Sequence, residues 1–433
     1  MGVALSNRTN QYRAALDYLF DRTTGKSKLG LERTAAFLHE LGDPQDRLRS
    51  LHVAGTNGKG SVCATLETVL RGKGLSVGKY TSPHLVDFRE RFLVDGRRVD
   101  EEYVVDFIER WTPTVERIGA TFFEATTAMA FDLFARSEVD AAIIETGLGG
   151  RLDSTNVVHP IVAGVTSIGI DHVEYLGETR EEIAAEKAGI FKRGVPAVIG
   201  ERDEGIRSLL AHLARERGAS VVLDVDTHAS PDDVTVTNEG TTFTITVGGQ
   251  RGVVRTGLAG AHQASNASLA LLMLNAAGGD LSITLDQARD SLPLVRLPGR
   301  FQRFEPFIFD VAHNPDGAAV LAATVAAVRP TSPIAVVLCV LADKDWRGVM
   351  TTLARVVDLF VLTNAPTAPA SRAWDLREAA SFAAERGWNA VAESDFDSAI
   401  RRATTEARTV LVTGSFHTVG DAMARLDVDP VAG

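Results

Sequence analysis

Short, nearly unbroken apolar runs recur along the chain, each closing on a glycine or a polar residue. Between them lie stretches in which apolar residues return every three or four positions. The first pattern fits a parallel strand buried on both faces, the second an amphipathic helix. Residues 11–20 and 31–42 predict helices, joined by the polar, glycine-bearing DRTTGKSKLG of residues 21–30. LHVA, residues 51–54, predicts a strand, and the apolar run 62–70 a helix. LSVGKY predicts a short strand that leads into Ser82-Pro83-His84. Helices are expected over 100–118 and 124–136. DAAIIE, residues 140–145, predicts a buried strand that delivers Glu145 at its end. VAGVTSIGIDH repeats the design and delivers Asp171 and His172. A helix over 178–192 carries Lys187, and VPAVIG is a further strand.

The pattern then changes. Residues 233–258 alternate apolar and polar, which predicts a β-hairpin segment. Residues 261–277 predict a helix with polar groups at its start. LPGRF, near Arg296, interrupts the order, and four βα units follow at FIFDVA, IAVVLCVLA, LFVLTNA and TVLVTGS. The chain therefore reads as α/β in two domains. Residues 1–295 form a P-loop-type N-terminal domain on a mainly parallel sheet plus the hairpin segment. Residues 296–433 form a second, Rossmann-like α/β domain.

Composition narrows the function classes. The length of 433 residues suits two to three domains, at ~150 residues each. A net charge of −11 argues against a nucleic-acid partner, which calls for a basic face. Anionic ligands must then be met by local basic residues. The two cysteines, Cys63 and Cys339, sit in apolar runs far apart, which suggests neither a disulfide framework nor a cysteine metal site. No apolar run approaches the ~20 residues of a membrane helix, and no signal-peptide core is evident. A cytoplasmic protein without a membrane partner is expected.

The chemistry concentrates in LHVAGTNGKGSV, residues 51–62. Strand, glycine-rich turn and helix in that order make a phosphate-binding loop: backbone N–H groups turn inward, and the helix N-terminus faces the anion. Lys59 adds a full charge and Ser61 a hydroxyl. The strict motif is not met, since Val53 stands where its first glycine belongs and Gly60 separates lysine from hydroxyl. Ser82, Glu145, Asp171, His172 and Lys187 all fall at or after predicted strand ends. In an open α/β sheet, ligands bind there. Carboxylate and hydroxyl oxygens beside a triphosphate make a hard-cation site, most simply Mg2+, while His172 suits Mn2+ equally. Plain structural readings stand beside these: Glu145 as a helix cap, His172 as a loop histidine, Lys187 as a solvent-facing lysine on a charged helix face.

GTNGKGS, TSPHL, TFFEATTAMAF, ETGLGGRLDSTN, SIGIDH, EKAGIF, HQASNA, PGRF, DVAHNPDG and TGSFHTVGD occur in that order. Together they resemble the folylpolyglutamate synthase/dihydrofolate synthase family of the Mur ligase superfamily, over about residues 10 to 425. GTNGK is shared across the superfamily; TSPHL, GLGGRLD and DVAHNP mark the folate branch. The resemblance implies an ATP-dependent ligase that adds L-glutamate to dihydropteroate and to reduced folates through an acyl phosphate. It implies that Thr56, Asn57, Gly58, Lys59, Gly60 and Ser61 hold the ATP phosphates. Asn266, Arg300 and Asp310 would bind the adenine and ribose end. Ser82, Glu145 and His172 would ligate Mg2+, one ion or two, and Lys187 would be carbamylated. Lys28, Leu29 and Gly30, with Thr121, Phe122, Phe123 and Glu124 and with Leu152, Asp153 and Ser154, would hold the pterin. His313 and Ser415 would seat the incoming glutamate. A monomer with small-molecule partners only is expected.

Three other readings remain open at this point. One is a folylpolyglutamate synthase without the dihydropteroate reaction. Another is a Mur-type amino-acid ligase with a UDP-binding domain, for which too little chain precedes Lys59. The third is a nucleotide-binding switch, against which stand Asp310, His313 and Ser415 at strand ends of the second domain.

Overall fold

The computed structural model describes residues 2–23 and 30–431. The apolar runs become three sheets. The first holds β1 (Ser50–Ala54), β2 (Val77–Tyr80), β3 (Phe92–Val94), β4 (Arg97–Arg98), β5 (Ala141–Glu145), β6 (Val162–Val165), β7 (Ala197–Ile199) and β8 (Val222–Asp224). Their order is β4-β3-β2-β5-β1-β6-β7-β8. Pairing is parallel from β2 to β8, with β3 and β4 added as an antiparallel edge. β1 and β5 are buried at every position, as continuous apolar runs demand. Successive residues of β5 serve opposite faces: Ala141 and Ile143 pack with helix Lys59–Gly72, Ala142 and Ile144 with helices Glu101–Ile118 and Phe122–Arg136.

The alternating segment is three-stranded and antiparallel, rather than a two-stranded hairpin. It runs as β9 (Asp232–Thr237), β10 (Gly240–Val247) and β11 (Gln250–Thr256). β10 buries Phe243, Ile245 and Val247 beside helix Ala261–Ala277.

The third sheet holds β12 (Gln302–Phe304), β13 (Phe307–Phe309), β14 (Ile334–Leu338), β15 (Leu359–Leu362), β16 (Ala390–Ala392) and β17 (Thr409–Thr413), in the order β12-β13-β17-β14-β15-β16. The four predicted strands are parallel. β16 extends them, and β12 pairs antiparallel to β13, so the sheet is mixed. It has its own core around Phe309, Val336, Val361 and Leu411.

Three helices differ from expectation, the first of them by starting at Gly2 rather than at residue 11. The helix expected at 62–70 starts at Lys59, directly on the glycine turn. The one expected over 178–192 runs only from Arg180 to Lys187, capped by Thr179, before a tighter turn at Ala188–Ile190. Gly189 explains the stop: a Cβ there would lie 2.4 Å from the Arg151 Cα, so the chain must turn closely past that loop. No helix among the described residues is long and apolar enough to cross a membrane.

Candidate active site

The glycines of the turn after β1, the phosphate-loop candidate, are set by close approach. Gly55 has φ 150, and a Cβ there would strike Thr166 Oγ1 at 1.7 Å. Gly58 has φ 95 and faces Asn266, whose Oδ1 would lie 2.6 Å from a Cβ. The loop thus touches the end of β6 on one side and Asn266 on the other. Gly60 faces Leu297 of the LPGRF segment, and Ser61 is buried in the first helical turn. Asn57 O accepts from the Thr166 and Ser167 hydroxyls at 2.7 and 3.2 Å. Gly169 N–H donates to Thr56 Oγ1 at 3.0 Å. The segment that leads to Asp171 and His172 is therefore pinned to the loop.

Lys59 folds back over this turn and donates to the Gly55 and Thr56 carbonyls at 2.9 and 3.2 Å. Lys187 lies beneath it, 4% exposed, and donates to Gly55 O at 2.8 Å. The solvent-facing reading of Lys187 is corrected here: its helix ends at this residue, under the loop. Burial first, and Lys59 second, push its pKa down to about 7.

Glu145 ends β5 in a buried position. Burial raises its pKa, opposed by Lys59, the Ser82 N–H and Arg300. Arg300 belongs to the second segment, beyond the sequence interruption. Burial lowers its pKa, while Asp310 and Glu145, one carboxylate from each segment, act to raise it. Asp310 accepts from the Phe301 and Ala312 N–H groups at 2.9 and 3.0 Å. Phe416 lies 5.5 Å beneath Arg300.

His172 caps a short helix with φ 54, its ring half exposed. Burial lowers its pKa to about 4; Asp171 opposes this, and Lys344, Lys59 and Lys187 add to it. Asp171 accepts from Lys344 Nζ at 2.6 Å and lies 3.7 Å from His313 Nε2. Burial works to raise its pKa, but His313, His172 and Lys344 hold it well below the carboxylate range. His313 donates from Nδ1 to Val311 O at 3.0 Å, which turns Nε2 toward Asp171. Ser415 is buried and caps helix Phe416–Arg425, its Oγ accepting from Thr418 N–H at 3.0 Å.

Of the residues expected to hold a pterin, Lys28 and Leu29 lie outside the described residues. Gly30 follows them directly in the chain, with φ 141. Phe122 stacks on Phe20 at 5.3 Å, with Phe88 edge-on at 6.1 Å and the Arg91 guanidinium 5.2 Å from its ring. Arg91 is held by His84 at 2.9 Å, and Phe20 stays 42% exposed. This open aromatic wall suits a flat heterocycle. Phe20, Phe88 and Arg91 escaped the sequence reading because they meet Phe122 only through the fold, and His84 because it joins them through Arg91. Phe123 instead packs on the loop after β5, where a Cβ on Gly147 would lie 2.2 Å from its ring. Thr121 caps its helix, and Glu124 is buried, pairing with Arg33 at 2.8 Å. Leu152 is half-buried and Ser154 buried. Asp153 accepts from Leu148 N–H at 2.7 Å and Thr155 N–H at 3.0 Å, so its carboxylate closes its own loop.

Residues 53–274 match the Mur ligase middle domain, and residues 299–416 the Mur ligase glutamate ligase domain. The chain is 36% identical over 416 residues to the dihydrofolate synthase/folylpolyglutamate synthase of Escherichia coli, spanning 95% of this chain and 94% of that one. The chain belongs to the dihydrofolate synthase/folylpolyglutamate synthase family of Mur ligases. The Bacillus subtilis member is 33% identical over 438 residues, covering 96% of this chain and 99% of its own. A Mycobacterium tuberculosis folylpolyglutamate synthase, solved with ADP and AMPPCP, superposes with a TM-score of 0.88 at 33% identity, covering 98% of this chain and 100% of that one. Escherichia coli FolC, solved with DHPP and ADP, superposes at 0.83 and 34% identity, covering 96% and 97%.

For a folate-branch Mur ligase, the contact between the two segments matters to the site. Leu85, just past Ser82-Pro83-His84, packs on the core of the third sheet. A Cβ on Gly420 would lie 2.1 Å from Leu85 O. Gly420→Ala should gain up to about 1 kcal/mol of helix propensity, yet push this turn aside. The clash is with backbone and costs about 1–3 kcal/mol, so ligation is expected to fall about tenfold or more and the thermal midpoint to drop with it. Paired rate and melting measurements check this, and an unimpaired rate would refute it.

Proposed function

We propose that the chain is an ATP-dependent ligase that adds L-glutamate to dihydropteroate and to reduced folates. The observation that carries this reading is Arg300, whose guanidinium feels the charge of both Glu145 of the first segment and Asp310 of its own. A nucleotide in that cleft would meet Lys59 and the loop N–H groups with its phosphates, and Asn266, Arg300 and Asp310 with its other end. The two units would be residues 1–295 and 296–433. The chain would act as a monomer. ATP as substrate supports a cytoplasmic location.

A carboxylate acylates an amine poorly, because oxide is its leaving group. Transfer of the γ-phosphoryl to the acceptor carboxylate makes an acyl phosphate. Lys59 stabilises the charge shared by the moving oxygens. The glutamate amine, once neutral, attacks the acyl carbon, and phosphate leaves. His313 and Ser415, near Asp171 and at a helix start, are suited to seat that glutamate. Closure of the two units would exclude water from the acyl phosphate.

Among the described residues no three His, Cys, Asp or Glu side chains gather as a metal cage. The donor set nevertheless fits a phosphate-bound Mg2+: Glu145 is a buried carboxylate raised by burial, beside the Ser82 N–H. Ser82 and Glu145 would hold the ion, with His172 as a further ligand. Bound Mg2+ would neutralise charge on the phosphate oxygens. Lys187 would be carbamylated. The Phe122 wall, with Gly30 and the neighbouring loop, would take the pterin.

The test is a panel assay of purified protein with ATP, Mg2+, glutamate and either dihydropteroate or a reduced folate. Dihydrofolate and lengthened folates are the expected products. Lengthened folates without dihydrofolate would leave a folylpolyglutamate synthase alone, and ADP release independent of folate and glutamate would indicate a switch protein.

A further inference from the structure

Lys344 follows β14, in the loop before helix Trp346–Leu353. Nothing in its local sequence, LADKDW, marks it as part of a site. Its side chain is only 16% exposed, and its ammonium crosses to Asp171, 173 positions away in sequence. The loop that carries it is held on both sides. Asp343 takes a two-point bond from Arg372 at 2.8 and 2.7 Å. Asp345 caps the helix through Gly348 N–H at 2.9 Å, and Trp346 is buried against Trp374. A lysine so fixed has lost the freedom a surface lysine keeps, so its direction is built in.

That direction is toward the phosphate loop. Asp171 closes the segment pinned to Thr56 and Asn57 by the bonds described above. The fields of Lys344, Lys59 and Lys187 all reach His172. Two of these cations come from the first unit, one from the second. Like charges gathered in a cleft repel one another, and an anion placed among them relieves the repulsion. A triphosphate, or the transferring phosphoryl group, is such an anion.

We propose that Lys344 is the cation that the second unit supplies to the reacting phosphoryl group, with Asp171 as the positioning residue that holds it ready. The inference rests on the ligase reading given above. In the step concerned, an acceptor carboxylate oxygen forms a bond to the γ-phosphorus. The bond from that phosphorus to the β,γ-bridging oxygen breaks, and ADP departs with the electron pair. No proton moves. Negative charge spreads over the equatorial phosphoryl oxygens, where Lys344 donates. A cation delivered from a separate unit also ties chemistry to closure, because phosphoryl transfer then waits until both units are in place. The competing role is a latch, in which the Lys344–Asp171 pair merely joins the units.

The two roles differ in kinetics. Lys344→Met, Lys344→Arg, Asp171→Asn and the Asp171→Asn/Lys344→Met pair are compared with wild type in the folate ligation assay. Catalytic use of Lys344 predicts that Lys344→Met lowers kcat about 10²- to 10³-fold, with KM for ATP within about threefold. Lys344→Arg recovers part of the loss, and the double variant is no slower than Lys344→Met. Should Lys344→Met not fold, Lys344→Gln, which keeps a donor without the charge, carries the same comparison. A raised KM for ATP with kcat retained at saturation makes the pair a latch and overturns the proposal. So does a melting loss that accounts for the whole rate loss. Wild-type protein that forms no amide overturns the ligase reading and the proposal together. An active wild type with an active Lys344→Met overturns the proposal alone.

Discussion

Lys59→Ala is expected to abolish ligation while the protein stays folded. The side chain lies on the loop surface and, among the described residues, bonds only to the Gly55 and Thr56 carbonyls, so its removal takes nothing from the apolar core. The Gly55 carbonyl keeps its bond from Lys187 Nζ at 2.8 Å. The functional loss has three parts. The γ-phosphoryl loses a full charge aimed at its transition state, and a single preorganised donor of that kind is worth about 10²- to 10³-fold. Lys59 also holds down the pKa of Glu145, so without it the buried carboxylate takes up a proton more readily and is a poorer cation ligand. And Lys59 holds down the pKa of Lys187, so without it Lys187 stays an ammonium to higher pH. All three changes act in the same direction, and the expected fall exceeds about 10³-fold. Circular dichroism and the thermal midpoint should match wild type. Near-normal turnover in a folded Lys59→Ala protein would remove the phosphate-loop assignment.

What the chain reveals before folding is what neighbours in sequence decide. The strand, glycine turn and helix of residues 50–72 need only local information: an apolar run, residues free to take positive φ, then helix formers. The parallel strands β5, β14 and β17 were legible for the same reason, because burial on both faces leaves an unbroken apolar signature. β4, β8 and β16 left no such trace. Each is two or three residues long and partly exposed, so neither alternation nor a run can form. Lys187 shows the converse error. Helical spacing put it on a charged face, but the helix stops there and the side chain turns inward. Asp153 came with the motif as a ligand-contacting residue; what sequence could not tell is that its oxygens also close the loop that bears it. Phe20, Arg91 and Lys344 meet their partners through the fold, and no spacing rule reaches across such distances in sequence.

Lys187→Met is expected to abolish ligation and, at neutral pH, to raise stability. The second half follows from the sign of the pKa shift. Lys187 titrates at about 7 in the folded chain, against an ordinary value of 10.5. A lysine depressed in this way is penalised for its charge on folding. The penalty is complete below pH 7, shrinks as pH rises, and is gone above the unfolded value, and a shift of this size corresponds to several kcal/mol. Methionine fills similar volume without the charge. The denaturation midpoint of the variant should therefore exceed that of wild type most at pH 6 to 7, with the gap closing toward pH 10. Activity follows the same titration in the other direction. The neutral amine can attack CO2, forming an N–C bond and releasing one proton, and the lysine becomes a carboxylate-like group beneath the phosphate loop. Wild-type activity should fall as pH drops below 7, and in CO2-depleted buffer, and should return with bicarbonate. In Lys187→Ala, where the side chain leaves space, acetate or formate should restore part of the rate. Intact-mass analysis of fully active protein with an unmodified Lys187 would reject the carbamate. A variant less stable than wild type across the whole pH range would reject the buried, charge-penalised lysine. A buried lysine that weakens the fold at neutral pH despite its bond to Gly55 O is not kept for stability, so a gain in stability together with a loss of activity would assign Lys187 to the chemistry.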